Sequence, residues 1–234
     1  MFRRPNPARR ATNGVAYQLV TALRKARRHG LGKALYVALL TVLGHSRWFR
    51  ILRGHYVDQV NPLLLDVPAP YAATFLTASG LEEFAREPHA ALSGQFIHNA
   101  VAKGDRCYGF THNGALVGFA WYATNPTRVS PELSLHFSRN YVYMYKAFTH
   151  EMHRGKRLYP IGMSRALRHY RSVGYEGMLA YVEATNLDSL KSCARMGCRV
   201  FGSIYVVGLL GRYFAYSSPG CARFGFRIKS RSAE

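Results

Sequence analysis

Apolar residues near the start of the chain recur at helical spacing: Val15, Leu19, Ala22, Leu23 and Ala26, with Arg24, Lys25, Arg27 and Arg28 on the other faces. That pattern predicts a basic amphipathic helix over residues 15–28. A nearly unbroken apolar run, ALYVALLTVL, follows at 34–43. It is too short to cross a bilayer, which takes about 20 residues. It suits a core helix, a partner interface or a helix resting in lipid headgroups. After Val67-Pro68-Ala69-Pro70 the pattern changes. Residues 71–76 read as a strand, 77–88 as a helix closed by Pro88, and 91–102 as another helix. Two β-rich runs flank Asn113-Gly114, a pair that tolerates the positive φ of a type I′ turn and so predicts a hairpin. Strands are expected at 141–149 and 177–184, with a helix over 158–173 between them and Gly174 as its C′ residue. Asn186 is a good N-cap for a helix reaching Met196. Strands at 199–210 and at either 212–217 or 222–228 end the chain. No repeat or low-complexity tract interrupts it.

This order of elements predicts a mixed α/β sheet with helices between its later strands. It also divides the chain into a basic helical extension, residues 1–69, and a domain, residues 70–234. Charge sharpens the division. The net charge is +20, and residues 1–57 hold twelve of the 32 Lys and Arg with no Asp or Glu before Asp58. Such a segment suits an anionic membrane surface, nucleic acid or an acidic protein. No nucleic-acid module or basic-aromatic signature is present, so only nonspecific charge speaks for nucleic acid. Cys107, Cys193, Cys198 and Cys221 show no paired metal spacing and predict free thiols in a reducing compartment. The expected location is cytoplasmic, peripheral to the inner face of a membrane if the extension is an anchor; a cleaved targeting segment is the other option.

One stretch carries candidate chemistry: His150-Glu151-Met152-His153-Arg154-Gly155-Lys156-Arg157-Leu158-Tyr159-Pro160. It is not a zinc helix. The two histidines are one residue too close for His-Glu-x-x-His, and no third ligand is evident, so no metal is expected. It fits an anion cradle, because the first turn of a helix leaves N–H groups without intrahelical partners and the helix dipole adds positive charge. Pro160 in that turn wastes no donor.

The element order and these residues together resemble the GNAT acyltransferase superfamily, whose acyl-carrier segment runs strand, Arg/Gln-x-x-Gly-x-Gly/Ala, helix. Arg154 to Tyr159 occupy that place, and Val182, Asn186, Ser189 and Gly197-Cys198 match the family's downstream intervals. The likeness covers roughly residues 70–228. It implies a mixed, mostly antiparallel sheet with helices on both faces, and transfer of an acetyl or longer acyl group from acyl-CoA to an amine acceptor. Arg154, Gly155, Lys156, Arg157, Leu158, Tyr159 and Asn186 are the implied carrier-binding residues. A strand amide near Thr149 is implied to hold the oxyanion. Tyr145, alternating with Val142 and Met144 alongside Tyr143, is an acceptor-side candidate, or else sheet core. Glu183, at the end of the next strand, is either the base or a surface ion-pair partner. The chain departs from the pattern at Arg157 and Tyr159, where the family has Gly and Gly or Ala. It departs again at Cys193, where relatives often place a Tyr that protonates the leaving thiolate. Two other readings belong beside the first: an acyl carrier protein as donor at a membrane surface, which cationic charge favours, and a catalytically degenerate fold that binds lipid or anions.

Overall fold

The computed structural model describes residues 30, 32–36, 38–39, 49–85, 92–210 and 212–230. The expected helix over 15–28 lies outside them. Of the run at 34–43, residues 34–36 and 38–39 are described, all helical, with Leu35 and Leu39 largely exposed.

The first strand, β1 (Phe49–Val57), precedes β2 (Tyr71–Phe75), α1 (Ala78–Ala85), α2 (Gly94–Ala102), β3 (Arg106–His112) and β4 (Ala115–Ala123). Next come β5 (Thr127–Arg128), β6 (Leu133–His136), β7 (Tyr141–Thr149), α3 (Leu158–Ser172) and β8 (Gly177–Glu183). The chain closes with α4 (Leu187–Arg195), β9 (Arg199–Leu209), β10 (Arg212–Ser217) and β11 (Arg227–Ser230). Eight strands form one sheet in the order β10-β9-β1-β8-β7-β4-β3-β2, and a second sheet is ordered β11-β6-β5. Every pairing is antiparallel except β7 with β8.

Two features differ from the sequence expectation. Residues 49–57 fall in the span assigned to the extension, yet β1 is hydrogen-bonded between β9 and β8 near the middle of the large sheet. The sheet therefore starts at Phe49, and its register pairs Leu52 with Glu183 and Ile204. The small sheet was not anticipated either. Of residues 222–228 only the last two are strand, and they join β6 there rather than the large sheet.

Alternation along β7 sorts the two faces. Val142 and Met144 join Ile161, Met163 and Leu167 of α3 in one core. Tyr141 and Tyr143 face the other way, into a core closed by Leu135, Phe226 and Ile228 around the small sheet. On that same face Leu81 of α1 and Ile97 of α2 cover Cys107 and Trp121. Gly162 lets α3 approach the sheet: a Cβ there would lie 2.7 Å from the Phe110 ring. The Asn113-Gly114 turn has φ of 51° and 83°, as its composition predicts.

Between β7 and β8 only Tyr141–Gly177, Val142–Met178 and Tyr143–Leu179 are paired, after which the strands diverge. The joined end is clamped by Glu176, which accepts from the Tyr141 hydroxyl and the Asn140 amide, both at 2.7 Å. Those hydrogen bonds lower the Glu176 pKa, while burial first, and then the Glu176 bond, push Tyr141 up to about 12. At the open end β7 is bulged, with Lys146 at φ 46° and Lys146-Ala147 opposite the single residue Ala120.

His55 of β1 is buried, and neither ring nitrogen has a hydrogen-bond partner among the described residues. Burial, and then the charge of Arg53, lower its pKa from the ordinary 6.5. The unfolded chain therefore takes up this proton first. The stability linked to His55 is fully present above the unfolded value and is lost as pH falls from there through the folded pKa. His55→Leu should raise the thermal midpoint, by an amount equivalent to roughly 1–3 kcal/mol for an unsatisfied buried polar group. The gain should be larger at about pH 5 than at about pH 7.5, and calorimetric scans at both values check it; an unchanged midpoint would mean that His55 is satisfied in solution.

Candidate active site

β7 ends at Thr149, and the His150 N–H then donates to the Val117 carbonyl at 2.8 Å. A short turn (Glu151–His153) leads to Gly155 at φ 81° and Arg157 at φ 59°, both left-handed, and α3 begins at once. Nothing lies within 4 Å of a Cβ built at Gly155, so its backbone angle rather than crowding calls for glycine. Arg157 is the N-cap of α3, and its side chain makes no capping hydrogen bond. Ile161 donates to the Arg157 carbonyl at 3.1 Å, but the N–H groups of Leu158 and Tyr159 precede the first intrahelical bond. The positive end of a 15-residue helix is thereby left uncapped.

These donors open into a cleft of ≈ 730 Å³. Its near wall is the turn and the start of α3; its far wall is formed by Leu63 and Leu64, by Ser192 and Arg195 of α4, and by the C-cap residue Met196. Among the described residues, Arg154, Arg157 and Arg195 line it, and no Asp or Glu does. Arg154 folds back over the mouth, its Nε 3.2 Å from the Thr149 carbonyl and a terminal nitrogen 3.3 Å from Glu151 Oε1. That exposed ion pair is weak enough to be exchanged for an incoming anion. His153 lies at the edge, its Nδ1 2.9 Å from the Tyr71 hydroxyl and its ring 5.1 Å from that of His112. Desolvation, and then the neighbouring His112, His150 and Lys156, lower its pKa.

Tyr159 crosses from the cleft into the core. Its hydroxyl donates to Met144 Sδ at 3.8 Å, and burial pushes its pKa up well above the phenol range. Cys193 and Cys198 are its electrostatic neighbours, so Tyr159 and the buried Cys193 share one corner of the core. Beyond Thr149 and Tyr159 lies a void of ≈ 10 Å³, walled by aromatic rings including Phe119, Tyr122 and Phe148.

The structure thus gathers Thr149, Arg154, Gly155, Arg157, Leu158 and Tyr159 in one cleft and leaves four candidates outside its lining. Lys156 is exposed beside it. Asn186 caps α4, accepting from the Ser189 N–H at 3.2 Å. Glu183 forms an ion pair with Arg50 of β1, the alternative of surface pairing rather than a free base. Tyr145 is on the opposite face, where its hydroxyl donates to Asp105. Sequence reasoning passed over Arg195 and Met196, although their spacing from Ser192 puts the three on one face of α4. It also passed over Asp105, a lone carboxylate with no motif around it. Among the described residues no group of three or more His, Cys, Asp or Glu is arranged to hold a metal.

The family model for the acetyltransferase (GNAT) family matches residues 71–198. Among curated proteins no sequence matches the chain. Its fold is similar to that of a GNAT-family protein from Novosphingobium aromaticivorans DSM 12444 (14% identity, TM-score 0.47, covering 79% of this chain and 66% of that one). It is also similar to a GCN5-related N-acetyltransferase-like protein from Streptococcus suis 89/1591 (13%, 0.47, 82% and 67%). A third likeness is to yncA of Salmonella typhimurium, solved with its cofactor acetyl-CoA (17%, 0.40, 68% and 93%). The chain spans 56–66% of the length of the first three structures it resembles. With the family model covering more than half of its 234 residues, the chain belongs to the GNAT acetyltransferase family.

Proposed function

We propose that the protein is an N-acetyltransferase that moves an acetyl group from acetyl-CoA to an amine. The observation that carries this reading is the uncapped start of α3, opening beside Arg154, Arg157 and Arg195 into a cleft with no carboxylate among its described lining residues. The donor supplies a thioester whose carbonyl carbon is attacked by the amine nitrogen as the C–S bond breaks, one proton leaving the nitrogen and one ending on the sulfur. The chain's part is to bind, orient and supply protons. Leu158 and Tyr159 N–H groups, with the three arginines, suit a pyrophosphate. On the side of β7 that faces β8, backbone groups beyond Tyr143 are outside the ladder, so an N–H there is available to the developing oxyanion. Turned from its weak contact with Met144 Sδ toward the cleft that Tyr159 lines, the Tyr159 hydroxyl can hydrogen-bond the leaving sulfur and pass it a proton, although burial makes it a weaker acid than an ordinary phenol. The void behind it has room for about one water- or methyl-sized group, which favours acetyl over longer chains.

Calorimetry with acetyl-CoA and with an acetylated acyl carrier protein tests the donor. Saturable binding of acetyl-CoA is expected; binding of the carrier protein alone, or of neither, would overturn the reading. Tyr159→Phe should lower kcat by about 100-fold, the lower end for a positioned general acid, while acetyl-CoA affinity stays within about two-fold, since one phenol oxygen buried against Met144 is lost. An unchanged kcat would remove Tyr159 from the proton path.

Arg157→Gly separates strain from charge. Glycine tolerates φ 59° freely, so the thermal midpoint should rise by the equivalent of roughly 1 kcal/mol. Losing a cation from the cleft should weaken acetyl-CoA binding by about 10-fold, the lower range for a charged hydrogen bond. Arg157→Ala should weaken binding without the gain in stability.

Location follows from the acid-free amino-terminal segment and from Leu35 and Leu39, which are exposed. Among the described residues no helix is long and apolar enough to cross a membrane. We infer a peripheral contact with anionic lipid, worth about 1 kcal/mol per basic residue near the surface and fading with salt. Sedimentation with phosphatidylserine vesicles at low and high salt, for the full chain and for a chain starting at Phe49, checks it. Equal pelleting of the two would show that the segment is not the anchor.

A further inference from the structure

The large sheet ends in a hairpin with an apolar face turned to solvent. β10 is the edge strand, and its register with β9 sets Phe214 opposite Val207 and Tyr216 opposite Tyr205. Residues paired across a ladder share a face. Ile204 and Val206 turn the other way, into the core around the small sheet. On the outer face Val207, Leu209, Phe214 and Tyr216 are all exposed. The patch continues into β1, where the Phe49 ring lies 6.4 Å from that of Tyr205, itself 6.2 Å from Tyr216. A contiguous exposed apolar face of this kind marks an interaction surface.

The turn at its end narrows the reading. Leu209 pairs with Arg212, and beyond that pair Leu210 stands at φ 50°, 94% exposed. This left-handed backbone is strained for leucine and well tolerated by asparagine. At another tight turn the chain uses the tolerant residue, Asn113, at φ 51°. Neither local folding nor solubility therefore accounts for a leucine at position 210. A contact that buries it does.

Charge identifies the partner. From Ser189 to Ala233 the chain holds eight Lys and Arg and no Asp or Glu, so neither strand of the hairpin carries an acid. β1 begins at Phe49, opposite Val207, and the ten Lys and Arg that precede it are likewise free of acidic neighbours. The basic amino-terminal segment thus joins the fold beside the hairpin. Two leucines at a convex tip, with cations and no carboxylate on either strand, fit the acyl boundary beneath anionic headgroups. Building on the lipid-contact reading, we propose that the β9–β10 hairpin is a second membrane-binding element. Leu209 and Leu210 enter the acyl boundary of an anionic bilayer, while Arg212, Phe214 and Tyr216 lie nearer the headgroups.

Sedimentation of the full chain with mixed phosphatidylserine and phosphatidylcholine vesicles tests the hairpin. Leu210→Asn should weaken vesicle binding by about 10-fold, the lower range for withdrawing a leucine side chain from water. It should not lower the thermal midpoint, because asparagine accepts this backbone. The contribution is apolar, so the ratio of parent to Leu210→Asn binding should be equal at low and high salt while both fall. Leu210→Trp should keep its binding, and its emission, after subtraction of the parent spectrum, should shift to the blue when vesicles are added. Equal binding of the parent and Leu210→Asn would overturn the proposal and leave the basic segment as the anchor. So would a Leu210→Trp emission that vesicles do not move. A dimer in sedimentation equilibrium that Leu210→Asn dissociates would also overturn it, assigning the face to a second copy of the chain. A parent protein that binds no vesicles is a distinct failure, which removes the lipid-contact reading and the hairpin with it.

Discussion

The backbone ladder between β7 and β8 runs from Tyr141–Gly177 to Tyr143–Leu179 and then ends. Parallel neighbours need a crossover, and α3 supplies it, so the helix start is necessarily delivered to the carboxyl end of β7. Glu176 holds the joined end through Tyr141 and Asn140, while the Lys146-Ala147 bulge turns the other end away. Beyond Tyr143 the facing edges of both strands carry N–H and C=O groups outside any ladder. Such groups inside a protein require a partner. A stretch of peptide groups outside the ladder, on the facing edges of β7 and β8, is therefore a consequence of where three pairs of residues stop.

The turn that follows combines two unfavourable features, a left-handed arginine and an uncapped helix, and they persist because α3 is anchored elsewhere. Leu158, Ile161, Met163, Ala166, Leu167 and Tyr170 are buried along its length, and Gly162 brings its axis close to Phe110. Apolar burial of that extent, at about 25 cal/mol per Å², far exceeds the roughly 1–3 kcal/mol stored in one left-handed side-chain-bearing residue. The helix start is thus held fixed while its donors remain free. An anion there meets a prearranged site and need not order it, which is the condition under which charge converts efficiently into affinity.

Local signals were read well from the chain and distant ones poorly, and particular residues show why. The Asn113-Gly114 turn, the span of α3 and the adjacency of β7 and β8 each rest on nearby residues. β1 was lost because Arg50, Arg53 and His55 make Phe49–Val57 look like more of the cationic extension. Its strand character rests on its ladders to β8 and β9, far along the chain, with Glu183 pairing Arg50 across the sheet. The same unseen contact decides Glu183: its carboxylate reads as a possible base in the sequence and as an ion-pair partner once β1 is in place. The small sheet was illegible because β5 has two residues and β6 four, too short for any period to register. Asp105 has no local signature. Its character comes from Tyr145, forty positions later, and from the helix that shuts it from water.

The departures at Tyr159 and Cys193 make sense together rather than singly. Taken one at a time, Tyr159 stands where the resemblance implies a small residue, and Cys193 where it implies a tyrosine that protonates the leaving group. In space the two side chains meet, with the phenol of α3 filling the corner that a larger residue at 193 would need. A tyrosine at both positions would overpack a corner already closed by Met144 and Cys198, at a cost of about 1–3 kcal/mol. One hydroxyl can therefore stand there, supplied by either helix. The chain supplies it from α3, whose first turn is fixed by the sheet. Under the acetyl-transfer reading, that choice would couple the proton donor to the same helix start that faces the phosphates, so an error in placing one would displace the other. Tyr159 also walls the small void beyond Thr149, so on the same reading one side chain would bear on both proton delivery and acyl size.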